Sequence, residues 1–244
     1  DPMAGFDIMS MQPVSQVTLY DALRAIEAAA TDERIKGIYL NFTGAGAAEM
    51  TILEEVREAI KAFKSTGKWV VAYNETYTQG TYYIASVADK VYMQPEGTFD
   101  WSGMEMSSMF FKGLIDKLGV QVDILRPTAC KYKSAVEPYF LDKMSDANRE
   151  QMQVLVDQIW GVIVEAVSES RGISAEELNR LADELAVVLP QQALEHKMID
   201  GLMYADQMEE LFKSEYSIEE PEYISLSEYA SGLTTDPKKA AAPK

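Results

Sequence analysis

Residues 128–140 read TACKYKSAVEPYF and place Cys130, Lys131, Lys133 and Ser134 within one short stretch. A lysine amine ordinarily titrates near pH 10.4, too high for a base at neutrality. Burial among apolar groups disfavours its charge and can lower that value by up to several units. An amine of this kind beside a serine hydroxyl can replace the histidine of a catalytic triad. Lys133 is therefore a candidate base, and a solvated surface charge is the competing reading. Other nucleophile chemistries have little to work with. The chain has one cysteine, Cys130, and one histidine, His196. They cannot form an intramolecular disulfide or a metal-ligand cluster. His196 reads as a solvated helix-end residue, and no metal or cofactor is expected.

The elements that must position Lys133 follow from periodicity. Leu19, Ala22, Leu23, Ile26, Ala29 and Ala30 share one helical face. IKGIYLNF, WVVAY and KVYMQ are short apolar runs of the kind found in buried strands, and VQVDILR at 120–126 reads as a fourth. Between them, a capping-box pattern at Thr51 opens a helix with Leu53, Val56, Ile60 and Phe63 on its apolar face, ended by Gly67. A short helix is expected near 82–88 and another over 107–118, stopped by Gly119. From Ser145 the chain turns helical, with Ser174-x-x-Glu177 as a further capping box, a turn at Asp200-Gly201 and a last helix near 205–212. Repeated β-α units imply an α/β fold with a mostly parallel sheet and a helical second half.

Parallel α/β sheets gather functional groups at the carboxyl ends of their strands. Gly44 and Gly46 follow the first run. Two glycines there could turn backbone N–H groups toward an oxyanion, or simply make a strand-to-helix turn. Gln79-Gly80-Thr81 follows the second run, where a nucleophile commonly sits in α/β hydrolases, but glutamine is no nucleophile. Lys133 follows the fourth. Ser134 is next to Lys133 in sequence, and such neighbours point apart. Ser86 falls on the helix after Gly80.

Bulk composition narrows the classes. There are 22 basic and 39 acidic residues, a net charge of −17, which disfavours nucleic acid as a partner and tolerates a cationic peptide. No run approaches the roughly 20 apolar residues of a membrane span. DPMAGFDIMSMQPVSQ shows no signal peptide and reads as a loop cut from a longer chain. TTDPKKAAAPK reads as a linker or frayed end.

TYYIASVADKVYMQPEGTFDWSG and LIDKLGVQVDILRPTACKYKSAVEPYFLDKMSDANREQM, with a Tyr-Lys-Ser-Ala-x-Glu-Pro motif followed by Met144-Ser145, closely resemble the amino-terminal half of the long, duplicated form of the bacterial signal peptide peptidase A (protease IV) family. The resemblance covers roughly residues 18–225. It implies a crotonase/Clp-protease-like fold of stacked β-α units and a Ser–Lys serine endopeptidase that degrades cleaved signal peptides. In the long form the amino-terminal half supplies the lysine, which falls on Lys133. The carboxyl-terminal half supplies the serine, at a turn whose equivalent here is Gln79. An auxiliary serine of that second half has its internal counterpart at Ser102. Ser102, Tyr132, Ser134, Gly44 and Gly46 become groove-lining candidates, the glycines matching a degenerate oxyanion loop. The implied partners are peptide substrate, the protein's own carboxyl-terminal domain and further copies in a homo-oligomer. The implied location is the outer, periplasmic side of the bacterial inner membrane, through an anchor absent from this chain.

On this reading residues 1–17 are the remnant of a truncated loop, 18–225 the crotonase-like domain bearing the lysine, and 226–244 a linker toward a carboxyl-terminal domain. Lys133 is expected to line a groove, and this chain alone to be inactive. A different class, a non-catalytic crotonase-like scaffold that assembles and binds peptide, would have no reason to keep Lys133. An acyl-CoA-binding crotonase enzyme is disfavoured by the degenerate glycine loop and the lack of paired glutamates.

Overall fold

Strands β1 (Phe6–Asp7) and β2 (Gln12–Pro13) form a small antiparallel ribbon. The computed structural model describes residues 6–7, 12–13, 17–42, 48–127 and 130–235. Its main sheet is parallel throughout, in the order β3 (Gly37–Leu40), β4 (Trp69–Tyr77), β5 (Lys90–Phe99) and β6 (Gly201–Leu202). The α/β class expected from the sequence is the class observed. Helix α1 (Leu19–Thr31) leads into β3, α2 (Met50–Lys64) joins β3 to β4, and α3 (Gln79–Ala85) joins β4 to β5. After α4 (Lys112–Leu118) the chain is dominated by α5 (Asp146–Arg171), α6 (Ala175–Asp183), α7 (Pro190–Glu195), α8 (Gln207–Tyr216) and α9 (Leu226–Thr235).

Side chains alternate across β4 as strand geometry requires. Val70 and Ala72 enter the large core with Ile60, Phe63 and Val91. Val71 and Tyr73 point to the other face, where Tyr92 and the Met208, Leu211 and Phe212 face of α8 cover them. Both faces of the sheet are thus buried, which is why its strands read as continuous apolar runs. β4 and β5 lose register between Asn74 and Thr76. QPEG bulges out there, with Pro95 supplying no ladder donor. Gly97 passes so close to the Glu75 carbonyl that a Cβ would lie 2.0 Å from it.

Buried Arg57 ties the helices together. Its guanidinium donates to Ser86 Oγ (2.8 Å), Ala166 O (2.7 Å) and Ser170 Oγ (2.6 Å), and also to the Tyr83 carbonyl. It reaches α2, the end of α3 and α5 at once, so its desolvated charge meets oxygen acceptors rather than a carboxylate.

Several sequence expectations are corrected. VQVDILR forms no strand. The fourth place in the sheet belongs to β6, and Val120, Val122 and Leu125 stand exposed, Leu125 at 96%. The Asp200-Gly201 turn is instead the entrance to β6. Asp200 fixes it by accepting from Val91 N (2.8 Å) and pairing with Arg171 (3.0 Å). Thr51 does not cap α2. Glu49 does so with its backbone, its carbonyl accepting from Ile52 and Leu53, and Thr51 lies inside the first turn. The helix expected over 107–118 starts only at Lys112. The last helix is α9, whose Tyr229, Ala230 and Leu233 are buried. Its Tyr229 hydroxyl donates to Asp32 (3.0 Å) beside the end of α1. Ser145 and Ser174 cap α5 and α6 as their patterns suggest. Gly119 (φ 64) ends α4 in the left-handed conformation.

Candidate active site

The loop bearing Lys133 is built from local turns. Lys133 N donates to Cys130 O (3.1 Å), and Glu137 N to Ser134 O (2.9 Å). A single 3-10 turn, Glu137–Tyr139, follows with Pro138 inside it. The turn is pinned by Glu137, which is 1% exposed. Its carboxylate accepts from Ser145 Oγ (2.6 Å), Ser145 N (3.2 Å) and Asn148 Nδ2 (3.1 Å), all at the start of α5. Arg126 lies 3.6 Å from it. Burial alone would push the Glu137 carboxyl up. The hydrogen bonds from Ser145 and Asn148 and the charge of Arg126 outweigh burial and hold it below the ordinary glutamate value.

Lys133 itself is exposed in this chain. It is not enclosed; it lines a shallow, open cleft with Cys130, Lys131, Tyr132 and Gln151 of α5. Among the described residues no carboxylate lies within 4 Å of its amine. Glu137, close in sequence, is committed to Ser145, Asn148 and Arg126. The two lysines differ. Lys131 Nζ sits 4.5 Å from the centre of the Tyr132 ring, and the Tyr132 hydroxyl donates to Glu150 (3.0 Å). Lys131 is thereby drawn onto an aromatic face, a cation–π arrangement.

The turn after β4 is finished in a different way. Thr78 caps α3 reciprocally with Thr81. Gln79, first residue of the helix, donates from Nε2 to Gly103 O (2.8 Å) and accepts from Gly103 N at Oε1 (3.0 Å). The side-chain amide thus pairs with a backbone as a second peptide group would. Gly103 has φ +81, which a non-glycine residue rarely adopts. Ser102 is exposed and donates to Asp100 Oδ1 (2.6 Å). An amide carrying two hydrogen bonds is a latch and cannot form an acyl intermediate.

No hydrogen bond among the described residues joins the Lys133 amine to a serine hydroxyl. Ser134 is half-buried beside it in sequence. Ser86 is fully buried, bonded to Arg57 and to Tyr83 O. Gly44 and Gly46 lie outside the described residues. His196 terminates α7, half-exposed, 3.7 Å from Glu177. Among the described residues no cluster of three or more His, Cys, Asp or Glu side chains could hold a metal ion, and no helix is long and apolar enough to cross a membrane. The Gln79–Gly103 pair, 24 residues apart, and the Glu137 anchor are the features that the sequence reading missed. The signal for the second was present: a single acid inside the otherwise apolar VEPYF, ahead of a serine cap.

Fold and site together define an α/β domain with a lysine in an open cleft. The chain belongs to peptidase family S49, which matches residues 62–219. It is 34% identical over 93% of its length to Protease 4 of Salmonella typhi, covering 38% of that protein. It is 36% identical over 67% of its length to Protease 4 of Haemophilus influenzae, covering 26% of it. It is 25% identical over 82% of its length to the chloroplastic serine protease SPPA of Arabidopsis thaliana, covering 29% of it. The chain thus spans well under half the length of these relatives.

Proposed function

We propose that this chain is the lysine-bearing half of a Ser–Lys serine endopeptidase that degrades cleaved signal peptides. Its nucleophile lies in a carboxyl-terminal domain outside the chain. The observation that carries the reading is the asymmetry of the two loops. The Lys133 amine stands in an open cleft without a carboxylate partner among the described residues, while the serine-equivalent turn carries Gln79 with both ends of its amide already bonded. The names of the relatives, Protease 4 and serine protease SPPA, agree with it.

The steps follow from the chemistry of the dyad. The serine hydroxyl brought over the cleft passes its proton to the Lys133 amine as its oxygen attacks the scissile carbonyl. The lysine ammonium then gives that proton to the leaving amine. Covering the cleft with an apolar surface removes water from around the amine, the condition under which lysine serves as a base. Met104, Met106, Met109, Val122 and Leu125, with Val154, Leu155 and Val162 of α5, are exposed large apolar groups of the kind such a cover would bury. The protein's own carboxyl-terminal domain and neighbouring copies in a homo-oligomer are the proposed cover. The proposed location is the periplasmic side of the inner membrane, through an anchor outside this chain.

The test is Lys133→Ala in the full-length protein. Peptide hydrolysis should fall about 10²–10⁴-fold with the fold intact, since a general base contributes on that order. Lys131→Ala should leave hydrolysis near the wild-type rate. Equal losses from both would mean a general effect of charge on binding and would overturn the dyad. The isolated 244-residue chain should hydrolyse no peptide. Its acylation by a serine-directed probe, abolished by Lys133→Ala, would instead place the nucleophile inside the chain, with Ser102 and Ser134 the first to examine.

A further inference from the structure

Lys133 is exposed, and its side chain has no hydrogen-bond partner among the described residues to hold it. Whatever fixes its position must act on its backbone. Two contacts do. The Lys133 N–H donates to Cys130 O within the turn, and the Lys133 carbonyl accepts from Arg126 Nη1 at 3.4 Å. The same Arg126 nitrogen lies 3.6 Å from Glu137 Oε1. The guanidinium therefore spans the lysine's carbonyl and the buried carboxylate, and the carboxylate is fastened to the N-terminus of α5 by Ser145 and Asn148.

We propose that Arg126 and Glu137 are positioning residues for the Lys133 base, forming a relay that ties the lysine's backbone to the rigid start of α5. The inference rests on the reading of Lys133 given above. Two features separate the relay from ordinary capping. Ser145 already caps α5 by accepting from Asn148 N (3.2 Å), so α5 does not need Glu137 for that bond. Glu137 reaches forward to accept from the Ser145 N–H and hydroxyl and so links the lysine loop to a helix that is already capped. Asn148 is also turned so that its Nδ2 meets the carboxylate, although its buried Oδ1 then has no partner among the described residues. That orientation suits a carboxylate at position 137. An amide there would offer one acceptor oxygen in place of two.

The consequence is kinetic. Misplacing a catalytic group by about 1 Å can cost on the order of 10²-fold, even when the change is made away from the chemistry. Glu137→Gln and Arg126→Ala should each lower kcat in the full-length protein by about 10- to 100-fold, with KM near the wild-type value, because neither side chain is proposed to touch substrate. Arg126→Lys keeps a cation but replaces the planar guanidinium with a compact ammonium on a flexible stem, and should fall between wild type and Arg126→Ala. Added guanidinium ion should restore part of the activity of Arg126→Ala and none of that of Lys133→Ala.

Each variant is assayed well below its melting temperature and normalised to folded protein, so loss of fold is counted apart from loss of rate. Wild-type kcat in both Glu137→Gln and Arg126→Ala, with Lys133→Ala inactive, overturns the relay and leaves the base assignment standing. A rise in KM at constant kcat overturns it as well, by making these residues part of substrate binding. Full activity in Lys133→Ala removes the base assignment and the relay with it. Should Glu137→Gln fail to fold, Arg126→Ala with and without guanidinium still decides.

Discussion

The Gln79 turn and the Lys133 loop are completed to different degrees. Around Gln79 the described contacts are made within the chain. The capping box, the Gln79–Gly103 amide pair and the Asp100 N to Tyr77 O bond (2.8 Å) all join groups of this one chain. Beneath it Tyr82, Phe99 and Trp101 are packed edge to face at centroid distances of 4.8–5.9 Å. From Met104 to Leu125, by contrast, large apolar side chains face water, and the lysine cleft is open. The first region behaves as the scaffold of a single chain. The second has the composition of a surface that another surface completes.

The contrast predicts where substitutions are costly. Trp101→Ala should destabilise the isolated chain most, by about 3–5 kcal/mol, the range for a large buried aromatic. Trp101 is 1% exposed, packs on Trp160 at 4.9 Å and donates from Nε1 to Leu178 O (2.9 Å). Urea denaturation measures the loss directly. A cost below about 1 kcal/mol, the size of a typical average substitution, would mean that the region is not the rigid scaffold described.

Gln79→Ala should come next. It removes both bonds to Gly103 while the half-buried backbone groups remain, at about 1–3 kcal/mol for donors and acceptors left unmet. Gln79→Ser should be no better, because a hydroxyl is too short to span both backbone groups. The same denaturation experiment checks both. If they cost nothing, water replaces the latch and the turn is less closed than the comparison requires.

The long buried strands and the amphipathic helices were the legible parts of this molecule. WVVAY and KVYMQ could be read as strands because both faces of the sheet are buried, and the helices showed their apolar faces. VQVDILR misled for a physical reason. Alternation records that one face needs covering, and it is the same whether the covering strand belongs to this chain or to none described here. β6 failed the other way, being two residues long and fixed by Asp200 and register rather than by pattern. The motif that singles out Lys133 is local and stands in the sequence, and the role given to that lysine is the proposal made above. Gln79–Gly103 was not, since a side-chain amide imitating a peptide across 24 residues leaves no local trace.

The Glu137 anchor gives a smaller, pH-dependent effect. Its folded-state carboxyl is held below the ordinary glutamate value, the Ser145 and Asn148 bonds and Arg126 overcoming the upward push of burial. A carboxyl depressed in the folded state stabilises the fold above its unfolded pKa, about 4.3. That contribution is lost as the pH falls through the folded value. Wild type should therefore exceed Glu137→Gln in stability at pH 7, and the gap should narrow on acidification below about pH 4, as the Glu137 carboxyl is protonated and becomes neutral like the glutamine amide. Denaturation curves of the two proteins at a series of pH values check the sign. A gap that widens in acid would mean that Glu137 is held protonated and that the anchor has been misread.

The smallest expected effect makes the sharpest test of the comparison. Leu125 is 96% exposed, so Leu125→Ser removes almost no buried apolar area from the isolated chain. Its stability should change by no more than about 0.5 kcal/mol, as for other surface positions. Val122→Ser should behave alike. If the 104–125 arm is the covered surface proposed above, the same substitutions in the full-length protein should weaken docking of the halves or of neighbouring copies, seen as a lower sedimentation coefficient or a shift to smaller species. Silence in the isolated chain together with loss of assembly in the whole protein identifies an arm whose partner lies elsewhere. Destabilisation of the isolated chain by more than about 1 kcal/mol, beyond what an exposed site gives, would show that the arm packs on its own domain in solution. The open region would then be as self-contained as the turn at Gln79.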